Sequence, residues 1–183
     1  MTYTSEFRFE VRKGSDLSAD QQVAILSLCT AAYEEDFKPF LTLFTDPTHV
    51  LVWSQDVLVS HLLWITRWLQ IDDGHLLCTA YIEAVATGPA FRCLGLASEA
   101  MRIAVETIAQ DDHYAITALS PSDAAFYTRL GWELWRGPLF ARTETGRIAM
   151  PDDEETMIYR LPTTPELDLS RPLSIEWRDL EVW

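Results

Sequence analysis

Glu83 stands in the middle of an otherwise apolar run, YIEAVAT at residues 81–87. Burial disfavours the charged form of a carboxylate, so an acid placed there is suited to take up a proton, and general-base catalysis is the chemistry it suggests. Alternation alone also leaves carboxylates on the exposed side of edge strands, and that plainer reading stands beside it. Directly after the run comes GPAFRCLGLAS, residues 88–98, which places two of the chain's seven glycines at one junction. Gly and Pro there can simply punctuate a strand-to-helix turn. The same turn can aim successive backbone N–H groups at a phosphate, with Gly95 and Ala97 leaving room for it. The dinucleotide pattern G-x-G-x-x-G does not fit this spacing. Cys93 is a lone thiol in the loop and receives no role. His49, His61, His75 and His113 are scattered singly and Cys29, Cys78 and Cys93 form no C-x-x-C, so no metal site is expected. Each histidine is expected at a surface or an edge.

The elements that must carry these residues follow from periodicity. SEFRFEVRKG alternates as a first strand, and Ser18-Ala19-Asp20-Gln21 offers a helix start with Ser18 as N-cap. Val23, Ile25, Leu26, Cys29 and Tyr33 continue that helix as an apolar stripe. FKPFLTLFTDPTH, bracketed by Pro39 and Pro47, reads as a short helix or loop over a pocket. HVLVWS and DVLVSHLLWITRWLQI are two β-rich runs joined at Gln55-Asp56 as a hairpin, and HLLCTAYIEAVAT is the next strand. The helix after the glycine junction sets Ala97, Ala100, Met101, Ala104, Val105 and Ile108 on one face, with Glu99, Arg102 and Glu106 on the other. HYAITALS follows as a buried strand, completing a βαβ unit with parallel strands and a right-handed crossover. SPSDAAFYTRLGWELW gives a short helix, a stop at Gly131 and a strand; ETMIYRLP gives another strand, and residues 162–183 form a proline-marked tail. Neither a repeat nor a second domain is visible, so residues 1–183 are expected to form one domain.

Twenty-eight acidic against fourteen basic residues give a net charge of −14. That balance repels nucleic acid and anionic membranes and suits a cationic small molecule, although solubility alone also favours acidic surfaces. Acidic residues gather at Glu34-Glu35-Asp36, at Asp152-Asp153-Glu154-Glu155 and in the tail at Glu176, Asp179 and Glu181, which would line a cation site if they meet. MTYTSEFRFEVRKG has no apolar core of a secretory signal, and no segment approaches the ~18 apolar residues of a membrane span. With unpaired cysteines, the expected compartment is a reducing cytoplasm.

R-x-x-G-x-A at Arg92, Gly95 and Ala97 resembles the pyrophosphate loop of the GNAT superfamily of N-acetyltransferases. AAFYTRLGW at residues 124–132 is similar to that superfamily's second motif, A-x-F-Y-x-x-L-G-F, with Trp132 where Phe is common and Ser120 where many members have Asn. YIEAVAT, ALSPSDAAFYTRLGW, PDDEET and the terminal IEWRDLEVW resemble the aminoglycoside 2'-N-acetyltransferases over nearly the whole chain.

The resemblance implies an α+β GNAT fold, a mixed, mostly antiparallel sheet splayed in the middle and flanked by helices. It implies acetyl-CoA as cofactor, lying between the strand at 83–87 and the strand at 114–119. Cofactor contacts would come from Ala84, Val85 and Thr87, from the loop residues Arg92, Cys93, Leu94, Gly95, Leu96 and Ala97, and from Ser120. Val85 N–H would face the negative charge that develops on the acyl oxygen. Glu83 would be the base and Tyr127 the acid, although a Tyr on an apolar helix face otherwise reads as core packing. The acceptor, a cationic amino sugar, would be bound by Asp36, Glu83, Asp152, Asp153, Glu181 and Trp183 with its terminal carboxylate. Leu41 stands where the family places a further acidic residue, which makes kasugamycin or a related amino sugar an alternative acceptor. A polyamine or protein N-acetyltransferase and a non-catalytic acyl-CoA sensor are further alternatives. The tryptophans of the tail suggest a homodimer interface.

Overall fold

The structure, a computed structural model, describes residues 7–180 and 182–183. The chain divides into two compact units, Met1–Ile65 with Ile82–Ala104, and Thr66–Tyr81 with Val105–Trp183.

In the first unit, β1 (Arg8–Lys13) pairs antiparallel with β2 (Thr48–Ser54), which pairs antiparallel with the start of β3 (Val57–Ile71) through the expected turn at Gln55-Asp56. Val50–Trp53 and Leu58–Ile65 are buried without interruption, which is why these runs read as continuous rather than alternating. Helix α1 (Ala19–Tyr33) starts at Ser18, whose hydroxyl accepts from Gln21 N while the Gln21 side chain accepts from Ser18 N. This reciprocal cap satisfies two otherwise orphaned donors. Ile25, Leu28 and Cys29 form its buried face. Val23 is 67% exposed, a correction to the expected stripe: two residues before Ile25, it falls on the opposite side of a 3.6-residue period. The short helix α2 (Lys38–Leu41) does adjoin a cavity of ≈ 260 Å³, lined by Leu17, Ile25, Leu41, Phe44, His49 and Leu63 among others.

The histidines divide in a way that single spacing did not show. His75 and His113 are exposed, whereas His49 and His61 are buried on β2 and β3 with His49 Nδ1 2.9 Å from His61 Nε2. Paired strands bring residues distant in sequence into contact, which corrects the expectation of four surface or edge histidines.

In the second unit the strand order is β6-β9-β5-β4-β3-β10-β7-β8. These are β4 (Leu76–Thr87, its first part), β5 (Ile116–Leu119), β6 (Glu133–Leu134), β7 (Leu139–Thr143), β8 (Gly146–Ala149), β9 (Met157–Tyr159) and β10 (Leu173–Glu176). β4–β5 and β7–β10 are parallel, and β3–β10, β5–β9, β6–β9 and β7–β8 antiparallel, as expected of a mixed, mostly antiparallel sheet. The β4–β5 ladder pairs Thr79–Tyr81 with Ile116–Ala118. Between β4 and β5 in the chain runs α3 (Leu96–Ile108), whose residues through Ala104 belong to the first unit. Of its expected face Ala100, Met101, Ala104 and Ile108 are buried and Ala97 and Val105 half-buried, and Leu96 is buried as well. Helix α4 (Ala124–Arg129) is capped by Asp123, whose carboxylate accepts from Ala125 N and Phe126 N. The β7–β8 hairpin and β10 were not foreseen.

Candidate active site

The glycine junction folds as a single turn of 3₁₀ helix, Pro89–Phe91, followed by backbone in the left-handed region at Cys93 (φ 62°) and at Gly95 (φ 77°), and then by α3. Residues in this conformation turn their N–H groups into a shared concavity at the positive end of a helix. A Cβ built on Gly95 meets nothing within 4 Å, so the approach to the backbone is open. Arg92 is exposed, with Nε 3.4 Å from Thr87 O and Nη2 3.4 Å from Ala32 O. Cys93 and Leu94 are exposed, Ala97 is half-buried, and Leu96 is core, so Leu96 can offer a ligand only its amide.

Upstream, β4 is kinked. Ala84 has φ 51°, an unusual state for a residue with a Cβ. Three successive carbonyls there accept hydrogen bonds from side chains: Ala84 O from His61 Nδ1 (3.1 Å), Val85 O from Tyr33 Oη (3.2 Å) and Ala86 O from Ser60 Oγ (3.0 Å). Glu83, Val85 and Thr87 are half-buried, while Ile82, Ala84 and Ala86 are buried. Glu83 thus lies on the more accessible face of an apolar strand, beside the kink.

In the second unit, Tyr127 is 4% exposed and lies edge-on to Phe126 and Trp132. Burial, with the Asp123 carboxylate adding to it, pushes its phenol up to about 12, so it keeps its proton at neutral pH. Ser120 Oγ lies within donating distance of Glu154 Oε1 (3.3 Å) and Glu155 O (3.1 Å).

A family model for the acetyltransferase (GNAT) domain matches residues 10–135, a span that includes Glu83, the glycine junction and Tyr127. An aminoglycoside 2'-N-acetyltransferase of Mycolicibacterium fortuitum is 32% identical over 180 residues, covering 92% of this chain and 88% of that protein.

The chain belongs to the GNAT acetyltransferases.

Two solved structures share the fold. The YhbS GNAT family N-acetyltransferase of Escherichia coli, in complex with CoA, superposes with a TM-score of 0.64 at 16% identity, covering 94% of this chain and 91% of that one. Escherichia coli ElaA gives 0.60 at 20% identity, covering 83% and 97%. GNAT enzymes take their acetyl group from acetyl-CoA. The residues present fit that cofactor: left-handed backbone at Cys93 and Gly95, an open approach over Gly95 and the amino end of α3 together make an anion cradle.

The acidic residues singled out for the acceptor fare differently. Asp36 is exposed and accepts from Lys38 N at 3.1 Å. Asp152 and Asp153 are exposed on a turn. Glu181 lies outside the described residues. Trp183 is 2% exposed, so its indole anchors the terminus instead of facing solvent. Glu176 is paired with Arg67 (2.7 Å) and Arg142 (3.6 Å), which neutralises it. Asp179 accepts from Trp177 Nε1 at 3.3 Å.

Sequence reasoning missed Arg67 and did not single out Glu154 within its acidic run. Glu154 is the half-buried member of its acidic run, and burial raises its pKa. Arg67 is buried, lies over the Tyr81 ring and donates from Nη2 to Glu176 O (2.8 Å) and Val182 O (2.9 Å), tying the tail to β3. An Arg in an otherwise apolar strand was the available signal. Among the described residues, no group of three or more His, Cys, Asp or Glu is gathered as metal ligands, and no helix is long and apolar enough to cross a membrane.

Proposed function

We propose that this GNAT enzyme acetylates an amine of an aminoglycoside-type amino sugar, at the 2' position, as a resistance activity. The 32% identity to an aminoglycoside 2'-N-acetyltransferase across 92% of the chain carries this reading.

Bound acetyl-CoA would supply an acetyl thioester, held through the N–H groups of the Arg92–Ala97 loop, through backbone of Ala84, Val85 and Thr87, and through Ser120. An amino-sugar amine is largely cationic at neutral pH and must lose a proton before it can act as a nucleophile. Glu83, a half-buried carboxylate beside the kink, takes that proton directly or through water. Tyr127, which holds its hydroxyl proton, is the donor for the leaving thiolate. Asp36, Asp152, Asp153 and Glu181 attract the remaining ammonium groups, with Trp183 holding the tail. A soluble cytoplasmic homodimer completes this reading.

Leu41 favours a second acceptor. It lines the apolar cavity with Phe44 and Leu17, so this position offers an ammonium group no counter-charge. That suits kasugamycin or another amino sugar. Thiol release from acetyl-CoA, measured with kanamycin-like, gentamicin-like and kasugamycin-like acceptors, tests both. Acceptor-dependent release with regiochemistry at the 2' amine is expected; no release with any of the three defeats the amino-sugar reading.

A further inference from the structure

The buried histidine pair has a single consistent hydrogen-bond polarity. Ala84 O can only accept, so the 3.1 Å contact requires the proton on His61 Nδ1. His61 Nε2 is then a bare lone pair in the neutral ring. The 2.9 Å contact to His49 Nδ1 therefore requires that nitrogen to donate. Both rings are neutral, because burial pushes His49 down to about 4 and His61 to about 3. Cys29 Sγ, 3.8 Å from His61 Nδ1, is a thiol, since burial pushes it up to about 12. The chain of donors runs one way, from His49 on β2 through His61 on β3 to the carbonyl of the kinked residue on β4.

That carbonyl belongs to Ala84, the residue of β4 whose backbone is left-handed. Left-handed backbone with a Cβ costs roughly 1–2 kcal/mol and persists only where its surroundings over-determine it. A fully buried imidazole donor with a fixed tautomer is such a determinant. Ser60 cannot replace it, because its hydroxyl is committed to Ala86 O and the Thr87 hydroxyl.

The geometry points to His61, oriented by His49, as the positioning residue that holds the β4 kink at Ala84 and thereby aims the Glu83 side chain and the Val85 peptide. The functional part of this inference rests on Glu83 being the base. It adds a residue that acts only through the backbone of Ala84.

The test compares His61→Leu, His61→Asn, His49→Leu and Glu83→Gln in the full chain, reading kcat, acetyl-CoA Kd, imidazole ¹⁵N shifts and the backbone shifts of Ala84 and Val85. The wild type should show both imidazoles protonated on Nδ1. His61→Leu should lower kcat by about 10–100-fold, the scale of a small misplacement, with acetyl-CoA Kd within about 2-fold. Its Ala84 shifts should leave the left-handed range. Asn presents an N–H near the position of Nδ1, so His61→Asn should restore most of kcat and the Ala84 shifts. His49→Leu should fall between them, and with His61→Asn it carries the test should His61→Leu not fold. A folded His61→Leu with unchanged kcat and unchanged Ala84 and Val85 shifts overturns the proposal, as does Asn performing no better than Leu. Glu83→Gln separates the two readings. Full kcat in that variant, with Ala84 still released by His61→Leu, defeats the base and leaves His61 as the holder of the kink.

Discussion

Lowering pH should destabilise this protein through two side chains, His49 and His61. In the unfolded chain each imidazole titrates near ~6.5, whereas in the folded state burial holds them at about 4 and about 3. Above the unfolded value neither state binds a proton and the pair contributes nothing to the pH dependence. Below it the unfolded chain binds protons that the folded chain refuses, so stability falls, and the fall continues until the folded values are reached. At about pH 5 each free imidazole favours unfolding by RT ln(1 + 10^1.5), ~2 kcal/mol, so the pair removes ~4 kcal/mol relative to about pH 7.5. This figure depends on the folded values only through their lying below pH 5. It is a large part of the usual ~5–15 kcal/mol. The assay is urea unfolding at a series of pH values for the wild type and for His49→Phe/His61→Leu. Subtracting the two cancels His75, His113 and the relaxation of an acidic surface carrying −14 charges, which works in the opposite direction. The wild type should lose ~4 kcal/mol more than the double variant over this interval, with about two extra protons taken up on unfolding. Parallel curves would show that the pair is solvated or charged when folded, and the tautomer argument would fall with it.

Glu83→Gln should lower kcat by ~10²–10⁴-fold, with acetyl-CoA Kd little changed, in single-turnover and binding assays; an unchanged rate means solvent takes the proton. Gly95→Val should weaken acetyl-CoA binding measured by calorimetry, because Val resists φ 77° and its branches fill the open approach over the backbone. Unaltered affinity would remove the phosphate role of this turn. Deleting Val182 and Trp183 should cost ~3–5 kcal/mol of stability, since it removes a buried indole and the carbonyl that Arg67 holds at 2.9 Å. It should also raise the acceptor KM while sparing acetyl-CoA Kd. A folded truncation with its acceptor KM intact would make the tail packing alone.

Much of the fold was legible in local pattern. The Ser18 cap, the β2–β3 hairpin, the α3 face and the strand-turn-helix-strand order are each specified by residues close in sequence, where periodicity and capping act. The phosphate turn was legible for the same reason: Gly95 and the start of α3 are neighbours along the chain. The β7–β8 hairpin was missed because β8 is exposed along its whole length and so shows no alternation, and its turn at Glu144-Thr145 carries no Asn-Gly signal. β10 was missed because a four-residue strand acquires its burial only from partners far away, β3 and β7. The fate of each charged and titratable group was decided by tertiary structure. Which of Glu176 and its acidic neighbours is neutralised depends on Arg67 and Arg142 arriving from other strands. Likewise, four singly spaced histidines look alike in sequence, and only strand pairing draws His49 and His61 out of water and onto the carbonyl of Ala84. Helices and turns answer to neighbours along the chain, whereas desolvation and charge pairing answer to neighbours in space.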